Sequence, residues 1–476
     1  MTPQAQLALL LWLPIVFYFF TIYPPRTAVI VSFVGGLLFL PQRAGFALPL
    51  IPDYAGMVAT CYGIGLALFV YDSQRLSKLQ LTWMDAPMVM WCICPMLSSL
   101  TNGLGFYDGF NEVLTQTATW GLPYFLGRLY LNNLSGMREL AINILRGGLI
   151  YVPLCLYEGR FSPQLHRMVY GYFAHSSGIR QAMRYGGYRP NVFMEHGLMV
   201  GMWMMTVALV CIWLSQSQAL KQVWGQSLGV LNVVFFLILL WCRSTGAYVY
   251  MIYGLLIMFV AKWTKTTLPL LLLIVGMSYY LYSGAIGTFD GEAITEVIAE
   301  RLNEERAQSL AFRFDNEDLL AEKAREKILF GWGGWGRNRV YDYNWEGVLE
   351  DISTTDSMWI IAFGVNGAVG LASVTASLLL PVVCFIFRYP ASLWFTPHVA
   401  PAAVLAVCTT LFMLDSVLNN MYNPIFTMIS GGLSAIAAQP RESAAPKKIP
   451  RSKLLHRGRP RPLAPSRSSP QKFPQR

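Results

Sequence analysis

The chain has 476 residues, of which 54% are hydrophobic and 13% charged, with a mean hydropathy of +0.43 and a formal net charge of +10. A charged fraction near 25% is usual for soluble domains, so this balance excludes an ordinary soluble globular protein. The excess charge comes from the segment after Gln439, where eleven basic residues from Arg441 to Arg476 face the single acid Glu442, so it gives no reason to expect nucleic acid as a partner.

In chain order, apolar runs fall at about 6–22, 26–40, 57–72, 85–99, 117–131, 138–156, 191–214, 223–241, 245–261, 267–283, 357–387, 397–418 and 424–438. A helix needs about 20 apolar residues to cross a bilayer, and lipid offers no partner to a free backbone amide. These runs therefore predict an all-α polytopic membrane protein with about twelve or thirteen transmembrane helices. The chain divides into N-terminal spans (1–156), a first loop (157–190), central spans (191–283), a large polar loop (284–356), C-terminal spans (357–438) and a tail (439–476). The tail's Pro, Ser and Arg content predicts disorder and a place on the cytoplasmic side. Counting back from it puts Arg388, Lys262, Lys265, Lys221, Arg75 and Lys78 inside, and both loops and the N-terminus outside. The first apolar run has neither a charged leader nor a small-residue cleavage site, so no cleavable signal peptide is expected. All eight cysteines lie in or beside apolar runs and read as small hydrophobes rather than disulfide or zinc partners.

Four polar constellations stand out. The first is Gly186-Gly187-Tyr188-Arg189-Pro190-Asn191, running into a span that carries Glu195 and His196 about one turn inside. Ionisable groups at that depth usually face a cavity. The second is Arg313, among aromatics, ahead of an amphipathic helix in which Leu319, Leu320, Ala324 and Ile328 recur at helical spacing. The third is Phe330-Gly331-Trp332-Gly333-Gly334-Trp335-Gly336-Arg337-Asn338-Arg339. Such a glycine turn can offer backbone N–H groups to an anion and flat rings to a sugar. The fourth is Thr354-Thr355-Asp356-Ser357-Met358-Trp359, where Asp356 can cap the next helix or accept a proton from a hydroxyl nucleophile.

Together with Ser244-Thr245-Gly246-Ala247 and the Gly367-Ala368-Val369-Gly370 stretch, the segments from Arg189 to Gly370 resemble the O-antigen ligase and O-antigen polymerase family of bacterial inner-membrane glycosyltransferases. The resemblance implies transfer of a glycan from an undecaprenyl-diphosphate carrier to a glycan or lipid acceptor hydroxyl at the periplasmic face, with no metal and no cofactor. It casts Arg189 and Arg313 as diphosphate or donor contacts, and Arg243, Arg337, Arg339, Trp332 and Trp335 as further substrate contacts. The family usually has His where this chain has Asp356, so the base is either Asp356 or one of His196 and Glu195. It often has Arg after the motif serine, where this chain has Thr245, with Arg243 displaced two positions earlier. Membrane lipids and other polysaccharide-assembly proteins are the remaining expected partners. A transporter or flippase for lipid-linked saccharide and a non-catalytic assembly component are the alternatives; a transporter tends to show two repeated halves, and no such repeat is evident.

Overall fold

The computed structural model describes residues 1–49, 51–175, 182–289, 291, 295–296, 299–300 and 304–440, so the expected disordered tail lies outside the described residues beyond Pro440. Seventeen α-helices are labelled here in chain order among those residues. They are α1 Pro3–Ile22, α2 Pro25–Phe39, α3 Gly56–Tyr71, α4 Ser73–Leu76, α5 Ala86–Thr101, α6 Phe106–Gln116, α7 Leu122–Tyr130, α8 Leu134–Phe161 and α9 Leu165–Tyr170. There follow α10 Gly197–Gln216, α11 Leu228–Trp241, α12 Thr245–Thr264, α13 Leu268–Ile286, α14 Glu304–Arg325, α15 Met358–Arg388, α16 Ala400–Leu418 and α17 Pro424–Ala438. Strands are confined to four short antiparallel hairpins in the connections.

Among the described residues, seven helices (α1, α8, α10, α12, α13, α15 and α16) are long and apolar enough to cross a membrane, and α2, α3, α11 and α17 are shorter apolar helices. The chain is a predominantly helical protein of the multi-pass membrane type. Each of the thirteen expected apolar runs coincides with a helix, the 117–131 run being split between a π-helical turn at Thr117–Gly121 and α7. Burial separates centre from periphery. The apolar windows of α10 and α16 are each 89% buried, against 28% for α1. Leu7, Leu10 and Leu11 on α1, Leu237 on α11 and Ile252 on α12 stay exposed, which in a membrane protein is a lipid-facing surface.

Hydrogen bonds sort the helix ends into two groups. At one end Arg388 donates to the Gln439 carbonyl, Gln439 to the Asn132 carbonyl, Arg26 to Ser135 and Lys262 to Gln216. A fully buried ion pair, Arg128 to Asp85 at 3.0 Å, closes this end. Tyr124 and Ser434 also donate to the same Asp85 oxygen, and burial of such a pair is tolerable only when its lone pairs are filled in this way. At the opposite end Thr2 donates to the Tyr170 carbonyl, Tyr172 to the Gln42 carbonyl and Tyr422 to the Thr119 carbonyl. The loops that follow α8 and α13 belong to this second end.

The centre of the second end is a broken helix. In α15, Gly367 has φ +67° and ψ −169°, which interrupts the helical ladder. The freed backbone groups are paired by the Ile328–Gly333 segment. Trp332 and Gly333 N–H donate to the Gly364 and Val365 carbonyls (2.9 and 3.0 Å), while Ala368 and Val369 N–H donate to the Ile328 and Leu329 carbonyls (2.7 and 3.2 Å). Asn102 on the α5 turn adds a bond to the Gly331 carbonyl at 2.8 Å. A Cβ on Gly367 would overlap the Leu329 backbone, and one on Gly331 would come within 2.5 Å of the Val365 backbone. Both positions therefore need glycine, and the glycine turn is a structural plug in α15 before it is anything else.

Two expected boundaries are corrected. Glu195 and His196 do not sit a turn inside a helix: α10 starts at Gly197, and His196 is its N-cap, with Nδ1 accepting from Leu198 N–H at 3.1 Å. Arg313 does not precede the amphipathic helix but lies midway along α14, whose Leu320, Ala321 and Ala324 are buried while Ile328 falls past its end and is exposed.

Candidate functional site

Three polar groups gather at the second end. The first is built around Arg189. The Glu158 carboxylate, fully buried near the end of α8, accepts from Leu165, Asn191 and Val192 N–H at 2.8, 2.8 and 2.6 Å, and so fixes the segment entering α10. Upstream, Met183–Arg184 pairs with Gly187–Tyr188 across a turn at Tyr185 and Gly186, both at positive φ. Between these restraints Arg189 is turned inward and is only 7% exposed. Its Nη2 donates to the Arg243 carbonyl at 3.3 Å, its Nε is buried with no partner, and among the described residues no carboxylate pairs with it. Arg243 lies beside it, donating to the Tyr188 carbonyl at 2.8 Å, with Arg184 also near. His196 stands over His175 with ring centroids 5.4 Å apart. Burial, then the charges of Arg189, His175 and Arg184, push the His196 imidazole down to about 4, so it is neutral at pH 7. Among the described residues, the group is a cluster of cationic side chains in which no carboxylate pairs with Arg189.

The second group centres on Arg313 and is acidic in balance. Phe312, Arg313, Asn316, Glu317, Thr354, Asp356, Ser357 and Leu418 line a small open cavity. Arg313 Nη1 donates to the Leu418 carbonyl at 3.0 Å at the end of α16, and Asn316 accepts from Thr354 N–H at 3.0 Å, tying the loop back to α14. Glu317 accepts from the Tyr280 hydroxyl of α13 at 2.6 Å. Burial pushes the Glu317 carboxyl above the usual carboxylate range, opposed by Tyr280, Ser357, Trp359 and Arg313. Ser357 Oγ and Trp359 Nε1 complete no hydrogen bond of ordinary geometry, although both reach toward that carboxylate. Asp415, buried on α16, accepts from Asn419 at 2.9 Å, with Tyr250 of α12 facing it. Asp356 is exposed at the cavity mouth, and its capping role is corrected: Ser357 is the N-cap position of α15, and no side chain caps it.

The third group lies across the α15 break. Arg337 Nη2 approaches Asp108 of α6 at 3.9 Å, and Trp335 stands 75% exposed at the rim. Two expected contacts are used otherwise. Trp332 donates Nε1 to the Lys323 carbonyl at 2.7 Å and carries Lys323 Nζ over its ring at 4.0 Å, so its faces are taken by the fold. Arg339 pairs with Asp351 of the exposed hairpin formed by Tyr341–Tyr343 and Leu349–Asp351.

The structure thus unites Arg189, Arg243 and His196 in one group, Arg313 and Asp356 in a second, and Arg337 and Trp335 in a third. Glu195 lies half-buried between Met194 and His196 on the approach to α10. Helix α12 touches the first two groups, with Thr245 bonded to Tyr185 at 2.6 Å and Tyr250 facing Asp415 five residues on, about 7.5 Å along the axis. Reading the sequence missed Glu158, Glu317 and Asp415, since an acid's partners from other helices leave no local pattern. No protein-family model matches the chain, and no curated protein matches it.

Proposed function

We propose that the chain is an integral-membrane glycosyltransferase of a bacterial inner membrane, moving or polymerising a glycan from an isoprenyl-diphosphate carrier onto an acceptor hydroxyl at the non-cytoplasmic face during surface-polysaccharide assembly. The observation that carries this reading is Arg189: a guanidinium 7% exposed, with its Nε unpartnered and Arg243 and Arg184 beside it. An unpaired buried cation costs several kcal/mol, and a ligand anion that supplies the missing charge recovers it. A diphosphate matches a guanidinium pair in charge and in bidentate geometry. The proposed orientation is supported by the basic residues Arg388, Lys262 and Arg26, which share the end opposite to Arg189.

In this reading the acceptor hydroxyl attacks the anomeric carbon while the bond from that carbon to the diphosphate oxygen breaks. The leaving diphosphate takes the electron pair and is held by Arg189 and Arg243. The hydroxyl proton passes to a carboxylate in the Arg313 cavity. Glu317 suits that step better than Asp356, because burial raises it toward working pH while Asp356 is exposed. His196 fits the role poorly, since its Nδ1 caps α10 and its neighbours are cations.

The test is surface-glycan analysis in a deletion strain complemented with variants. Loss of polymer, with single repeats or carrier-bound chains accumulating, is expected for the deletion and for Arg189→Gln, while exposed Arg339→Gln restores wild-type glycan. Unchanged polymer in the deletion strain would overturn the reading. The broken helix α15 favours a second reading, a transporter of lipid-linked saccharide, because transporters place sites at discontinuous helices. Reconstituted vesicles that move the lipid-linked substrate across the bilayer without glycan transfer would favour it.

A further inference from the structure

A small open cleft lies where α6 faces the α15 break. Asp108, Glu112 and Gln116 recur at every fourth residue of α6 and so line one wall, while Gly333, Gly334, Trp335 and Arg337 form the other and Asn366 the floor. Asn366 is 4% exposed and its Oδ1 has no hydrogen-bond partner, and the buried Nε2 of Gln116 also lacks one. An acceptor and a donor left idle in the same cleft call for a partner from outside the chain.

The unsatisfied groups define the ligand. Gln116 Nε2 asks for an acceptor and Asn366 Oδ1 for a donor; exchanging O and N in both amides leaves the same joint demand. Asp108 and Glu112 can only accept when ionised, and Arg337 can only donate. Hydroxyl groups answer both needs, because each one donates and accepts. A metal cation would meet the Arg337 guanidinium, and an acidic ligand would meet Asp108, beside which burial, reinforced by the Asp108 charge, already pushes Glu112 upward. Trp335 at the rim offers a flat face to the C–H side of a ring.

We propose that this cleft binds an uncharged sugar ring of a glycan, as a subsite separate from the Arg189 pocket. Its place in transfer rests on the proposed glycosyltransferase reading; sugar binding itself does not. The experiment is saturation-transfer difference NMR on the full chain in nanodiscs, with glucose, galactose, N-acetylglucosamine and glucuronate each offered alone. At least one neutral sugar is expected to take up saturation and glucuronate to take up little. Trp335→Ala and Glu112→Gln should each cut the neutral-sugar signal about fivefold. Trp345→Ala, at a side chain 92% exposed on the hairpin connection, should leave it unchanged and so controls for folding. No saturation of any neutral sugar, or a signal untouched by both cleft variants, overturns the proposal. Sugar binding in a protein that fails to bind isoprenyl diphosphate would keep the subsite and remove the transferase reading, so the two failures are separable.

Discussion

Glu158 shows how much one side chain can organise. It holds three backbone N–H groups from two segments while fully buried, so Glu158→Ala strands three donors at once. Each buried unsatisfied donor costs ~1–3 kcal/mol, and a total of about 3 kcal/mol or more is expected. Thermal unfolding in detergent should show a clear fall in Tm for this variant and a smaller one for Glu158→Gln. Glu317 carries a different consequence. A base must be unprotonated, and burial holds this carboxyl above the usual range, so activity should fall with acidification at a higher pH than an exposed carboxylate would give. The pH–rate profile of Glu317→Gln should lose that acid limb along with most of the activity; a mutant with the wild-type profile would assign the proton to another group.

At the scale of elements, the plug in α15 is the feature with the sharpest requirement. Gly367→Ala and Gly331→Ala each push a Cβ into backbone at a positive-φ position, so each should destabilise by about 2–4 kcal/mol and loosen the turn. Gly334→Ala, whose Cβ would meet only the Glu112 carboxyl, at 3.7 Å from Oε1 and 3.9 Å from Cδ, should be nearly neutral. Protease sensitivity near Trp335 would report the difference, and equal protection in all three would rule out the plug. Such a break was not legible in the sequence. The Gly367-Ala368-Val369-Gly370 stretch reads as ordinary close-packing glycine in a span, because the backbone that fills the gap lies 34 residues or more upstream. The helices under the apolar runs were legible, since the length of an apolar run is local information, but among the described residues only seven of them, not the expected twelve or thirteen, are long and apolar enough to span a membrane. The start of α10 was not: Pro190 looks like a helix beginning, but Glu158 captures Asn191 and Val192 N–H and delays the helix to Gly197.

Across the whole molecule, the two ends of the bundle divide the work. One end is closed by the Asp85–Arg128 pair and by basic helix termini, and the other collects the broken helix, the acidic cavity and the cluster of cations around Arg189. Residues such as Arg189, Glu195, Arg313 and Asp356 were visible in the sequence as polar intrusions into apolar surroundings. Their division into a cationic pocket and an acidic cavity was not, because it depends on which helices α12 and α14 meet. The most direct test of the account is equilibrium binding of undecaprenyl diphosphate to the purified chain in nanodiscs. Tight binding is expected for wild type, weakened at least ~10-fold in Arg189→Gln through loss of a charge-assisted contact and unchanged in Arg339→Gln. Equal affinity in wild type and Arg189→Gln, or no binding at all, would contradict it.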